Sequence, residues 1–145
     1  MLVEKIMTRN VITVNENDTL LEAVKTLRKN RVSGAPVLNE KGEVVGIISE
    51  ADLLRVLEGF SWYSKFLKFL HILDENEEVQ KDFEKASSMK VVDIMSKNPK
   101  TVKVDDSIYD AASIMHSNGF NRLPVVDENG KLVGIVARAN IIASL

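Results

Sequence analysis

Few side chains in this 145-residue sequence could carry chemistry. Ser49 and Asp52 stand three apart, Ser49 closing the apolar run Val44–Ser49. That is the spacing of a capping box, in which side chains satisfy orphan N–H groups at a helix start. Such a cap stabilises a helix by about 1 kcal/mol and can face a ligand at the same time. Arg122 lies in Phe120-Asn121-Arg122-Leu123-Pro124-Val125, where it reads as a surface arginine laid over apolar area. The two histidines, His71 and His116, have no partner cluster, which argues against a His-based triad or metal site. Cysteine is absent, which excludes disulfides, thiol chemistry and sulfur metal sites. No nucleophile–base pair or phosphate-cradling P-loop is visible, so the residues argue for a protein that is not an enzyme.

The bulk composition narrows the class further. A chain of this length can bury a real core as a single domain. Its net charge of −2 argues against a large nucleic-acid footprint, which needs clustered Lys and Arg. The start, MLVEKIMTRN, lacks the apolar stretch of a signal peptide. The greasiest segment, residues 66–73, is broken by Lys68 and His71 and is too short to span a bilayer. With no cysteine, a reducing cytoplasm is the expected location.

The elements that must position these residues come in duplicate. Residues 6–57 align without a gap onto 94–145 at an offset of 88, and 17 of the 52 pairs are identical. A unit this small cannot bury its apolar face alone, so the copies are expected to share a core about a pseudo-twofold axis. Function is then to be sought in the cleft where they meet. In the first copy a β-branched run at 11–14 predicts a strand. Asp18 or Thr19 caps a helix, with Glu22 placed for a capping box. Leu20, Ala23, Val24 and Leu27 form its buried stripe, and it should stop near Asn30. Runs at 35–38 and 44–49 flank Asn39-Glu40-Lys41-Gly42, a hairpin with Gly in the φ > 0 position. Residues 50–57 then form a second helix with Leu53, Leu54 and Leu57 inward. Pro36 and Pro124 should fix φ at strand starts, and His116 should face solvent. The order is β-α-β-β-α, twice: an α+β architecture with repeat 1 at 1–57, an insert at 58–90 and repeat 2 at 91–145.

The twin units, Met7-Thr8 and Met95-Ser96 near each start, and Gly46-Ile47-Ile48-Ser49-Glu50-Ala51-Asp52 at the strand-to-helix junction resemble the CBS domain pair, or Bateman module. The resemblance implies a regulatory module, stand-alone here, that senses AMP, ADP, ATP or S-adenosylmethionine. No catalytic cofactor or metal is implied. In this family an Asp at the position of Asp52 accepts both ribose hydroxyls, and a Ser at that of Ser49 reaches toward phosphate. The chemistry fits: one ionised carboxylate can accept both donors of a vicinal diol, and a helix N-terminus favours an anion. Each site is composite, so the main one is expected to join Ser49 and Asp52 to Lys100, Thr101, Asn121, Arg122, Leu123 and Pro124. The backbone of Asn121, Arg122 and Leu123 would read adenine, and Arg122 would meet phosphate. In the second copy Ala137 and Asn140 replace Ser and Asp. Asn140 would face Ile12, Thr13, Ser33, Gly34, Ala35 and Pro36, with help from Arg138 and Arg31, in a weaker or empty site.

The resemblance also implies a homodimer and a client protein that reads occupancy in trans; neither nucleic acid nor membrane is expected as a partner. The insert holds six of the eight aromatics, and Trp62, Phe66, Phe69, Leu70 and Leu73 form one helical stripe. A connection of this length should carry helices. Its greasy face covers the core or a subunit interface, or else docks a client or closes over the cleft. Two rival functions remain: a module for S-adenosylmethionine, and a ligand-independent scaffold that works through the insert.

Overall fold

Each repeat folds through a short parallel strand, a capped helix, a hairpin and a second helix, as the duplication predicts. The computed structural model describes residues 1–58 and 88–145; the helices expected in the insert lie outside them, as does the side chain of Leu57. A 3-10 turn at Val3–Lys5 opens the chain. In the first repeat β1 is Val14–Asn15, α1 Leu20–Asn30, β2 Gly34–Leu38, β3 Val44–Ser49 and α2 Glu50–Glu58. The second segment begins with a one-turn helix, α3, at Val91–Ile94 and β4 at Ser96–Lys97. It continues through β5 Val102–Lys103, α4 Ile108–Asn118, β6 Arg122–Val126, β7 Leu132–Ala137 and α5 Arg138–Ala143.

Local chemistry sets the limits of α1. Thr19 Oγ1 accepts the Glu22 N–H at 3.2 Å, and Glu22 Oε2 accepts the Thr19 N–H at 3.3 Å, a complete capping box. The helix ends at Asn30, where expected, and Arg31 caps it in the left-handed conformation. Leu20, Ala23 and Leu27 are buried as the stripe requires. The hairpins turn at Gly42 (φ 81°) and Gly130 (φ 79°), where a side chain would be strained. His116 is exposed, as expected.

Three expectations about single elements need correction, and the expected shared core is instead two cores, one for each repeat. The first strand lies at Val14–Asn15, not 11–14, because it exists only where β2 pairs with it in parallel, Val14 with Val37 and Asn15 with Leu38. Pro36 and Pro124 sit mid-strand, in the third position of β2 and β6. They are tolerated because β1 and β5 begin pairing only at Val37 and Val125. Leu54 does not point inward: it is 60% exposed, and the inner face of α2 carries Leu53 and Val56.

The two sheets trade their edges. Strand β4 of the second segment pairs antiparallel with β3 of the first, Ile47 opposite Ser96 and Gly46 opposite Lys97. At the twofold-related place Thr8 and Ile135 exchange two backbone hydrogen bonds of 2.8 Å. The exchange reaches the cores. Val91, Ile94 and Met95 pack with Val14, Leu27, Val37 and Ile48 of the first repeat. Val3 and Met7 pack with Val102, Met115, Leu123 and Val136 of the second. The hairpins also meet, through Val44 N–H to the Gly130 carbonyl and Leu132 N–H to that of Gly42, each at 3.1 Å.

Candidate ligand-binding cleft

A cleft of about 560 Å³ opens where the two hairpins face each other. Of the expected main site, Ser49, Lys100, Asn121, Arg122, Leu123 and Pro124 line it. So do Ser33, Gly34, Ala35 and Pro36 of the expected second site. The two half-sites are thus one continuous space, with its cations, Lys100 and Arg122, both contributed by the second repeat. Thr101, Ile12 and Thr13 are half-buried and do not line the cleft.

Asp52 lies behind the wall, 2% exposed, and is the one buried charged residue among those described. It is the third residue of α2, and its Oδ2 accepts the Ser49 backbone N–H at 2.9 Å. That is one arm of the capping box. Ser49 Oγ donates to the same Oδ2 at 3.1 Å. The second oxygen, Oδ1, accepts from the Arg55 guanidinium one turn along α2. It also accepts from Ser96 Oγ at 3.2 Å, across the seam between repeats. Burial of this carboxylate is therefore tolerable, since every face of it is met by a donor.

In the second repeat Asn140 Oδ1 accepts the Ala137 N–H at 2.8 Å, the same capping arm without a hydroxyl or a charge. The Arg138 N–H donates to the Asn121 carbonyl at 2.9 Å, and Arg138 Nε to the Phe120 carbonyl at 3.1 Å. These bonds hold the Phe120–Asn121 backbone in place and occupy part of the Asn121 carbonyl. Arg138 and Asn140 do not line the cleft; Arg138 borders a smaller cavity with His116 and Ile142. Arg31 is exposed.

Sequence reasoning did not assign Ser96, Arg55, Phe120, Ile47 and Ile135. Ser96 was in view as half of Met95-Ser96, but its reach to Asp52 depends on β4 crossing between repeats. Among the described residues no group of three or more His, Asp or Glu side chains is placed to hold a metal. Nor is any described helix long and apolar enough to cross a membrane.

A duplicated α+β unit whose copies exchange edge strands around one polar-ended cleft defines a class of paired-repeat binding module. The chain belongs to the CBS domain family, whose model matches residues 3–59 and 91–145. An uncharacterised protein of Methanocaldococcus jannaschii is 36% identical over 154 residues, spanning 100% of this chain and 91% of its own. Several other curated relatives are longer, and the chain spans roughly half of each. The structure of CBSX2 from Arabidopsis thaliana in complex with AMP is similar, with TM-score 0.75 and 30% identity. That match covers 99% of this chain and 94% of the other. The CBS domain pair of protein MJ0100, in complex with 5′-methylthioadenosine and S-adenosyl-L-methionine, has TM-score 0.72 and 26% identity. It covers 99% of this chain and 94% of its own.

Proposed function

We propose that the chain is a regulatory module, not a catalyst, and that its cleft binds an adenine nucleotide with Asp52 as the ribose acceptor. The observation that carries the reading is the one buried carboxylate among the described residues, beside a cleft lined by Lys100 and Arg122. A nucleotide has the matching polarity: a vicinal diol for the carboxylate and an anion for the two cations. Ser49 and Ser96 line the space between them. The uncharged half, with Ala35, Pro36 and Ile135, suits the flat apolar face of a base. The relative crystallised with AMP supports this ligand class. The relative holding S-adenosyl-L-methionine supports a second reading, which the two cations disfavour because that ligand carries a sulfonium. Ligand bridging the repeats would bias their orientation, and a client protein would read the change.

Titration calorimetry of AMP, ATP and S-adenosylmethionine into the wild type and Asp52→Ala tests the reading. Two charge-assisted bonds of about 1.5–3 kcal/mol each predict at least a roughly tenfold weaker AMP affinity in the variant. Binding near one per chain that survives Asp52→Ala unchanged would return Asp52 to a helix cap. Absence of heat from folded protein would shift attention to the scaffold reading.

A further inference from the structure

The carboxylate assigned to the ribose is already fully engaged. Oδ2 accepts the backbone and side chain of Ser49, and Oδ1 accepts Arg55 and Ser96. The Ser49 backbone bond is compatible with a bound diol, because it caps α2 and lies within the protein. The other three donors come from side chains that can rotate. Arg55 is the most easily moved: its side chain is 64% exposed, so leaving Asp52 returns it to water. Ser96 already lines the cleft and can turn its hydroxyl to a ligand. Between them they leave Asp52 2% exposed and absent from the cleft wall.

We propose that Arg55 and Ser96 form a latch over Asp52 that a ribose diol must displace, and that Arg55 thereby sets the affinity of the cleft. The inference rests on the nucleotide reading and adds a cost to binding that the cleft itself does not reveal. It also gives occupancy two outlets. Displacing Ser96 removes the side-chain bond that ties β4 to the first repeat, 44 residues away in sequence. Displacing Arg55 frees the sixth residue of α2, the helix that leads out of the first repeat. Both changes occur on elements that join the two halves of the chain. The guanidinium is too exposed for its removal to leave Asp52 without water or Ser96 as partners, so the variant keeps a competent acceptor.

The test compares AMP with 2′,3′-dideoxy-AMP by calorimetry in the wild type and in Arg55→Met, which keeps the apolar stem. A latch predicts that Arg55→Met binds AMP about two- to fivefold tighter, the order of an ion pair whose guanidinium is mostly in water, with the dideoxy analogue unchanged. A wild type that prefers AMP over the analogue while Arg55→Met binds AMP equally or more weakly overturns the latch and leaves the nucleotide reading standing. Binding of AMP by neither protein, or no preference for the diol in either, overturns both. Ser96→Ala serves as the second variant: it too should raise the ratio of AMP to dideoxy affinity, and a lowered ratio counts against the latch.

Discussion

Gly46 shows how much a single residue type can encode at the seam between repeats. Its φ lies outside the left-handed region, so no turn requires glycine there. The requirement is space: a Cβ at Gly46 would sit 2.4 Å from Met95 Sδ and 2.8 Å from the Ser96 carbonyl oxygen. Gly134 faces the same problem with Met7 Sδ at 2.6 Å and the Thr8 carbonyl at 3.0 Å. A methionine side chain can shift, but the backbone of β4 cannot shift without loosening its pairing to β3. Gly46→Ala should therefore destabilise the fold by about 1–3 kcal/mol, read as a lowered midpoint in urea unfolding. A change under about 0.5 kcal/mol, typical of an unconstrained surface site, would show that β4 does not lie so close. The glycine was legible in the sequence as part of a junction signature, as were Ser49 and Asp52. Their partners were not. Ser96 reaches Asp52 because β4 leaves its own repeat, and nothing in the local pattern around residue 96 announces that.

At the scale of elements, legibility follows how far each one depends on its neighbours. α1 and β3 carry their own signals, a capping box and an apolar run ended by a cap, and both lie where the pattern puts them. β1 is two residues long and owes its position to β2, so β-branched content alone misplaced it. The helical stripe on α2 was misjudged at Leu54 for a related reason: period alone does not say which apolar residues the protomer itself covers. Leu54 is 60% exposed and its twofold mate Ile142 69%. Tyr109, the mate of the partly exposed Leu21, is 70% exposed. Large apolar groups recurring at equivalent places on α1, α2, α4 and α5 are suited to burial against a second copy. The homodimer expectation can thus be tested at these positions. Leu54→Asp combined with Ile142→Asp should convert a dimer to a monomer in sedimentation velocity without lowering far-ultraviolet helicity. A wild type that sediments as a monomer at tens of micromolar, a range chosen for dimers of about micromolar Kd, would remove the expectation.

The whole molecule carries what neither repeat could show alone. The duplication predicts a shared core, but the structure has two cores, each completed by a segment from the other half. Sequence order could not reveal this, because the segments at 1–8 and 89–96 are equivalent under the offset and fit either core by pattern. What decides between them is geometry: Thr8 pairs with Ile135, and Ser96 with Ile47. The consequence is mechanical. On the proposed reading, a ligand between the hairpins would act on halves already tied by exchanged strands, and would change their orientation rather than associate separate units. The same exchange should make stability indivisible. Met7 is buried in the second core although it lies at the start of the first repeat. Met7→Ala should then cost about 2–5 kcal/mol, as for other buried methionines, and lower the melting temperature of the whole chain. Differential scanning calorimetry should show one endotherm in both proteins, moved as a unit by the substitution. Two endotherms, with only one displaced by Met7→Ala, would mean the repeats unfold separately and that the exchanged segments do not couple them. A single displaced peak would make the two repeats, joined through the seam, one unit of stability.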